Sequence, residues 1–188
     1  LIIGGSGSGK TTLLKCMVGL HEPEEGSVIY DARNFTRMNF QSRIEIRTEI
    51  GMLFQGSALF DSMNVEDNIM FPINMFTDQN HKEKLERANF CLERVNLVGK
   101  NKLFPAELSG GMKKRVGIAR AIAMNPKYLF VDEPNSGLDP KTAIVIDELI
   151  QELTVEYKTI TIVVTHDMNS VMGIGENIIF LHEGKKWW

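Results

Sequence analysis

The stretch LIIGGSGSGKTTLL, residues 1–14, decides the fold of this chain. It fits the pattern G-x-x-x-x-G-K-[ST], with Gly4, Gly9, Lys10 and Thr11 at the fixed positions, between an apolar start and a helical run. Glycines let such a loop turn tightly, so that its N–H groups surround an anion at a helix N-terminus. The stretch therefore predicts a strand, a phosphate-binding loop and a helix, the beginning of an α/β fold.

The loop residues have separate predicted tasks in holding a nucleoside triphosphate with Mg²⁺. The ammonium of Lys10 should reach the β- and γ-phosphates, and the hydroxyl of Thr11 should ligate Mg²⁺. The other predicted phosphate contacts are Gly4, Gly5, Ser6, Gly7, Ser8, Gly9 and Thr12. A glycine-rich turn without a ligand is the alternative, and the complete pattern in its strand–loop–helix setting argues against it.

Bulk properties limit the class of protein. The 188 residues suit one domain, and the net charge of −3 argues against a nucleic-acid binder held by bulk electrostatics. Cys16 and Cys91 lie in apolar helical patterns without metal-ligand spacing, which suggests reduced core residues in a cytosolic compartment. No stretch approaches the roughly 18 consecutive apolar residues of a membrane span. We therefore expect any action at a membrane to occur by docking.

We interpret residues 1–188 as a single domain that is cropped at both ends. Residue 1 already lies in the strand that enters the phosphate loop, without a start methionine. The chain stops at Trp188, shortly after the hairpin-like pair Glu183-Gly184.

Short β-rich runs alternate with amphipathic segments, a pattern typical of a mostly parallel sheet flanked by helices. The apolar positions of Lys141–Glu156 recur at helical spacing and predict a helix with one buried face. The predicted strands are Leu1–Ile3, Ile50–Phe54, Tyr128–Val131, Thr159–Thr165 and Asn177–Leu181.

The middle of the chain, about residues 57–125, predicts an inserted helical subdomain. Its predicted helices are Val65–Met75, Lys82–Val95 and Met112–Met124. The basic run Lys113-Lys114-Arg115 on the last of these helices is interpreted as a solvated face. Before that helix stands LSGGM at residues 108–112, a motif that ordinary P-loop kinases and GTPases lack.

Two carboxylates follow the strand Tyr128–Val131, at the end where open α/β sheets bind ligands. Asp132 suits the Mg²⁺ shell, acting through water, because Mg²⁺ dehydrates reluctantly. Glu133 suits the general base that orients or deprotonates the attacking water. Two acids at a strand end often mark only a solvated turn, and the phosphate loop in the same chain favours the functional interpretation.

Two further polar side chains follow predicted strands. His166 can contact a γ-phosphate and hold Glu133 and the water in line. Gln55 is expected to touch both Mg²⁺ and the nucleophilic water, an interpretation that depends on the family resemblance below. The remaining histidines have no partner pattern and are expected to face solvent: His21, His81 and His182.

The order of these motifs resembles the nucleotide-binding domain of an ABC (ATP-binding cassette) ATPase, a P-loop NTPase fold. The resemblance covers nearly the whole chain and implies binding and hydrolysis of ATP with Mg²⁺. It implies that Gln55 is the Q-loop residue, that Asp139 in Ser136–Asp139 is the D-loop acid, and that His166 is the switch histidine. It also implies that Ser109, Gly110 and Gly111 form the family's signature.

The resemblance further implies partners. In this family two domains pair head to tail, so the signature of one copy closes on the ATP of the other. The N-terminus of the helix after Ser109–Gly111 suits that task, because it forms a second anion-binding end. Membrane permease subunits are implied as well, with the chain peripheral at the cytoplasmic face of the inner (plasma) membrane. No direct contact with nucleic acid is expected.

A finer resemblance is to the MlaF group, the ATPases of Mce-type phospholipid transporters. It rests on Met112 in place of the commoner signature glutamine, and on LFQGSALFDSM at residues 53–63 followed by NIMFP at 68–72. It implies phospholipid transport and an Mce-domain partner. The apolar segment from Gln55 to Phe76 would then receive a short permease helix, although the same apolar run is equally compatible with core packing.

The alternative function is that of a soluble ABC ATPase acting in translation or DNA maintenance. The chromosome-maintenance type places a long coiled coil between phosphate loop and signature, and no heptad array separates Lys10 from Leu108. The translation type has two cassettes, of which one is seen here. A binding module with a dead site is a third class, and the presence of Lys10, Glu133 and His166 argues against it.

Overall fold

A six-stranded sheet forms the centre of the fold in the computed structural model, which describes residues 1–187. The strands have the spatial order β4-β5-β6-β1-β7-β8, and their pairings are parallel up to β7, which forms an antiparallel hairpin with β8. In chain order the elements are β1 (Ile2–Ile3), α1 (Lys10–Met17), β2 (Ile29–Tyr30), β3 (Arg33–Asn34), α2 (Phe40–Thr48), β4 (Ile50–Leu53), α3 (Val65–Phe76), α4 (His81–Arg94), α5 (Gly110–Ile122), β5 (Tyr128–Asp132), α6 (Pro140–Tyr157), β6 (Ile160–Thr165), α7 (Met168–Ile174), β7 (Ile179–His182) and β8 (Lys185–Lys186). The predicted α/β class with a mostly parallel sheet is confirmed.

Strand β5 is buried on both sides, because helices cover both faces of the sheet. Its alternate residues enter two hydrophobic clusters. Tyr128 and Phe130 pack with α1 and α2, whereas Leu129 and Val131 pack with α3 to α6. The helices inserted between β4 and β5 therefore share a core with the sheet.

Side-chain caps set where the predicted helices begin. Ser109 accepts a hydrogen bond from the N–H of Met112 at 3.3 Å, so α5 begins two residues before its predicted start. Asp139 caps α6 by accepting from the N–H groups of Lys141 and Thr142, both at 3.1 Å. Asn80 and Glu83 form a reciprocal capping box at α4, with distances of 2.8 and 3.1 Å.

The hairpin β2–β3 and the helices α2 and α7 were not predicted. The hairpin turns at Asp31 and Ala32, whose φ values of 44° and 63° are normally adopted by Gly or Asn, so the usual turn signal is missing. A bidentate ion pair from Arg33 to Glu49, at 2.7 and 2.6 Å, fixes the second strand. In α2, Ile46 is the only buried residue, which explains the weak periodicity.

The two cysteines differ in burial. Cys91 lies in the core, and burial raises the pKa of its thiol to about 11. Cys16 is partly exposed on α1, so the prediction that it is a core residue was wrong. Among residues 1–187, no helix combines the length and apolar character required to cross a membrane.

Candidate nucleotide-binding and catalytic site

Four neighbouring parallel strands deliver the candidate catalytic and metal-binding residues to one edge of the sheet. The phosphate loop follows β1, Gln55 lies two residues after β4, and Glu133 and His166 directly follow β5 and β6. These strands lie side by side in the order β4-β5-β6-β1. Because the carboxyl ends of parallel strands share an edge, residues far apart in sequence meet there.

The phosphate loop is shaped so that side chains are excluded where its backbone turns. A Cβ on Gly4 would lie 2.3 Å from the carbonyl oxygen of Leu181, and Gly9 has a left-handed φ of 96° just before α1. Lys10 is 7% exposed, and its ammonium donates to the carbonyls of Gly4 and Gly5 at 2.8 and 2.9 Å. The lysine side chain thus packs against the loop that precedes it.

The loop fits a phosphate group. The Ser8 hydroxyl is buried and, within residues 1–187, has no hydrogen-bond partner, so it is free to contact a ligand. The first N–H groups of α1 also lack intrahelical acceptors and carry the positive end of the helix dipole. An ammonium, a buried hydroxyl and a helix N-terminus together match the chemistry of a triphosphate.

Asp132 ends β5 with 4% of its surface exposed, and its Oδ1 accepts from the Thr11 hydroxyl at 3.2 Å. Burial raises the pKa of Asp132; the bond from Thr11 opposes this and the Glu133 carboxylate adds to it. A bound cation stabilises the charged form of a buried carboxylate whose pKa is raised in this way. A carboxylate beside a hydroxyl suits Mg²⁺. Residues 1–187 contain no cluster of three or more His, Cys, Asp or Glu arranged for a metal.

Glu133 and His166 form a close pair. The His166 Nδ1 lies 2.9 Å from Oε1 and 2.8 Å from Oε2 of Glu133. The side chain of Glu133 is 11% exposed and that of His166 is 68% exposed. A carboxylate held in this way can accept a proton from water, while the exposed ring remains accessible to a ligand.

The backbone of Glu133 is left-handed, with a φ of 47°. Its N–H donates to the carbonyl of Val164 at 2.8 Å, and its own carbonyl accepts from Ser136 N–H at 3.2 Å and from Lys114 Nζ at 3.1 Å. These contacts hold a conformation that costs a non-glycine residue about 1–2 kcal/mol.

Gln55 is exposed and bridges to the segment after Glu133, because its Nε2 donates to the Ser136 hydroxyl at 3.4 Å. The turn that follows has positive φ at Ser57 and Ala58, 63° and 46°. Arg120 from α5 donates to both of their carbonyls, at 2.6 and 2.7 Å, and so fixes this turn.

The signature residues lie against the start of α6. A Cβ on Gly111 would meet the Thr142 methyl at 2.7 Å, so the glycine permits close contact between α5 and α6. Ser109 and Gly110 are exposed at the N-terminus of α5. Asp139 bonds the Thr142 hydroxyl at 2.5 Å as well as capping α6, and the Thr142 contacts lower the pKa of its carboxyl.

Lys114 is a site residue that the sequence interpretation missed. It is 4% exposed, and its ammonium donates to the carbonyl of Gln55 as well as to that of Glu133. The prediction of a solvated basic face was therefore wrong at this position. Helical spacing contained the signal, because Lys114 lies three residues after Gly111 and four before Ile118, both buried.

Comparison with known proteins identifies the family. The model of the ABC transporter family matches residues 1–136, and the chain belongs to this family. The family assignment from the sequence is thereby confirmed, and the likeness to the MlaF group stays a prediction.

Two curated relatives and one solved structure illustrate the similarity. The chain is 38% identical over 178 residues to the probable ribonucleotide transport ATP-binding protein mkl of Mycobacterium leprae, spanning 95% of this chain and 51% of that protein. It is 40% identical over 184 residues to the methionine import ATP-binding protein MetN of Bartonella henselae, spanning 98% of this chain and 53% of that protein. The chain thus spans about half the length of these relatives.

The solved structure is the dimeric, post-hydrolysis ATP-binding cassette MJ0796 bound to ADP and Pi. It matches with a TM-score of 0.90 and 34% identity, covering 100% of this chain and 82% of that one.

Proposed function

We propose that the chain is the ATP-binding subunit of an ABC transporter and hydrolyses ATP to ADP and phosphate. The observation that carries this proposal is the Glu133–His166 pair, with Nδ1 2.8 and 2.9 Å from the two carboxylate oxygens. Glu133 directly follows Asp132, whose carboxylate accepts a hydrogen bond from the Thr11 hydroxyl of the phosphate loop. Base, metal ligand and phosphate cradle are therefore contiguous.

The proposed mechanism assigns one task to each group. Lys10 and the loop N–H groups bind the phosphates, and Thr11, Asp132 and Gln55 hold Mg²⁺. Bound Mg²⁺ supplies positive charge that offsets the charge on the phosphate oxygens. Glu133 orients the attacking water and accepts its proton, while His166 fixes the carboxylate and offers its second ring nitrogen to the γ-phosphate.

We further propose that two copies pair head to tail, so that the signature of each contacts the nucleotide of the other. Ser109 and Gly110 are exposed at the N-terminus of a helix of 13 residues, where unpaired N–H groups favour an anion. The similar cassette MJ0796 was solved as a dimer. In this proposal Asp139 supports the arrangement by capping α6 beside the signature.

The permease contact is proposed at an apolar groove between α3, α5 and the edge strand β4. The groove has a volume of about 350 Å³. Its walls include Met52, Phe54, Phe60, Phe71 and Met124. A short amphipathic helix fits a groove of this kind. Docking there would place the chain peripherally at the cytoplasmic face of the inner membrane.

The cargo is a narrower proposal. The names of the two relatives specify different cargoes, ribonucleotides and methionine, at similar identities of 38% and 40%. Overall identity therefore does not select the cargo. Met112 and the run from Leu53 to Met63 support phospholipid transport with an Mce-domain partner, as the sequence resemblance implies.

The direct test measures ATP binding and phosphate release by the full-length protein and by Lys10→Ala. We expect the variant to lose ATP affinity and activity while its melting curve changes little. Lys82→Ala is the control, since Lys82 lies on α4, distant in sequence from the phosphate loop, and its side chain is 86% exposed. Retained ATP affinity in Lys10→Ala would contradict the proposal.

The cargo test uses the full transporter in liposomes. We expect phospholipid to stimulate ATP hydrolysis more than methionine or ribonucleotides do. Stimulation by either of the latter alone would replace the phospholipid assignment while leaving the ATPase assignment intact.

A further inference from the structure

A buried lysine links three parts of the proposed site. Lys114 lies in the second turn of α5, whose first residues carry the signature. Its ammonium donates to the carbonyl of Gln55, at the end of β4, and to the carbonyl of Glu133, at 3.1 Å. The lysine therefore connects the signature helix with the backbone that follows two neighbouring strands, β4 and β5.

The charge of Lys114 is not used in an ion pair within residues 1–187; its two acceptors are backbone carbonyls. Burying an ammonium is unfavourable unless its surroundings compensate, and burial lowers the pKa of Lys114 while Asp132 and Glu133 oppose that shift. A methionine would fill a similar space without this penalty. The hydrogen bonds themselves are thus the distinctive contribution of the lysine.

The Glu133 carbonyl is a sensitive point of attachment. The residue has a φ of 47°, and the orientation of its peptide sets where the carboxylate points. Besides Lys114, the carbonyl accepts only a 3.2 Å bond from Ser136 among the described contacts. Losing the ammonium would free the segment 133–137 to reorient.

We propose that Lys114 is a positioning residue that holds the Glu133 carboxylate and the Gln55 backbone in register with the signature helix of the same subunit. The proposal rests on the proposed ATPase function. Its action is local to one subunit: the lysine sets the base that serves the nucleotide bound by its own phosphate loop.

The first test needs no nucleotide. Hydrogen–deuterium exchange is compared for the full-length wild type, Lys114→Met and the control Lys113→Met, whose lysine is partly exposed on the same helix. We expect faster exchange in Lys114→Met for peptides covering residues 54–58 and 133–137, with the phosphate-loop peptide unchanged. Equal exchange in all three proteins would overturn the proposal.

The second test separates kcat from KM. We expect Lys114→Met to bind ATP normally and to lose kcat by about 10- to 100-fold, the range of a hydrogen bond to a charged group. Lys114→Gln, which keeps an N–H donor one atom shorter, should recover part of this loss, because donation to carbonyls needs no charge. A loss that appears in KM, or no difference between Met and Gln, would overturn the assignment.

Mixed dimers in the assembled transporter locate the effect. In one pair, a Lys114→Met subunit joins a Lys10→Ala subunit, so the competent site uses the base of the lysine variant. In the other, both changes lie on one chain and the partner is wild type, so the competent site uses only the variant's signature. We expect the first pair to be slow and the second to match wild type paired with Lys10→Ala. Equal rates in the two pairs, or slowing confined to the second, would refute action on the subunit's own base.

Failure of the two proposals can be told apart. If the wild type hydrolyses no ATP, the proposed function fails, and the exchange experiment still decides whether Lys114 holds the two segments. If the wild type is active and Lys114→Met behaves like Lys113→Met, the lysine inference alone fails.

Discussion

Replacing Glu133 by glutamine removes the proposed general base while preserving its shape. The side chain is 11% exposed and contacts His166 Nδ1 through both oxygens. An amide oxygen can keep accepting from that ring nitrogen, and the backbone contacts to Val164 and Ser136 do not involve the side chain. We therefore expect the free energy of unfolding to change by less than about 1 kcal/mol.

The expected effect on turnover is much larger. General-base assistance contributes about 10²- to 10⁴-fold, which corresponds to about 3–5 kcal/mol of transition-state stabilisation. The loss should fall on kcat, because Lys10 and the loop still bind the phosphates. Phosphate release at saturating ATP measures it, and an ATP titration with a melting curve shows that binding and folding survive. Glu148→Gln is the matched control, since Glu148 is exposed on α6.

A turnover within about tenfold of the wild type, with normal ATP binding and melting, would refute the assignment of Glu133 as base. The water would then be activated elsewhere. His166→Ala identifies one candidate, since a histidine acting as the base itself would leave Glu133→Gln active and His166→Ala inactive. If the carboxylate is the base, both variants should be slow.

Three further outcomes are expected. Ser109→Arg and Lys10→Ala subunits should each be inactive alone but form mixed dimers with one competent site, as measured by ATP hydrolysis; full activity of Ser109→Arg alone would exclude a shared site. Phe60→Glu, in the apolar groove, should weaken permease capture while ATP binding is retained. Met75→Glu is the control and should not weaken capture, because Met75 is 60% exposed on α3 and lies outside the groove lining. Equal capture of both variants would remove the groove from the docking model. Burial raises the pKa of Asp147, so its contribution to stability is present below the ordinary Asp pKa of about 4 and is lost as the pH rises through the raised pKa. Asp147→Asn should therefore gain stability relative to wild type as the pH rises above about 4 in denaturant titrations. A stability difference that does not vary with pH would contradict this.

Much of the site could be predicted because its residues follow strands directly. Glu133 and His166 each come one residue after a strand whose last three residues are buried, and parallel strands place such positions at one edge. The expectation that His21, His81 and His182 face solvent also holds, since all three are exposed. Strand periodicity and adjacent polar residues were sufficient for these predictions.

Other features depend on contacts that no local pattern encodes. Lys114 occupies a buried face because two carbonyls from other segments accept its ammonium, and charge alone suggested the opposite. The segment Gln55–Phe76 was expected to form the permease groove, but Met75 lies outside the groove lining while Met124, from beyond α5, belongs to it. A groove is made by the packing of distant elements, so its members cannot be read from one stretch.

A buried polar network explains how an exposed histidine keeps a defined position beside the base. Asn135, two residues after Glu133, donates to Asp147 on α6 at 2.9 Å and to the Ser170 hydroxyl on α7 at 2.8 Å. Helix α7 begins two residues after His166. The proposed base and the histidine are thus joined twice, once by direct contact and once through the bond from Asn135 to α7. Replacing Asn135 should therefore remove the second link while leaving the direct contact in place, so the network supports the geometry of the proposed base as well as the fold.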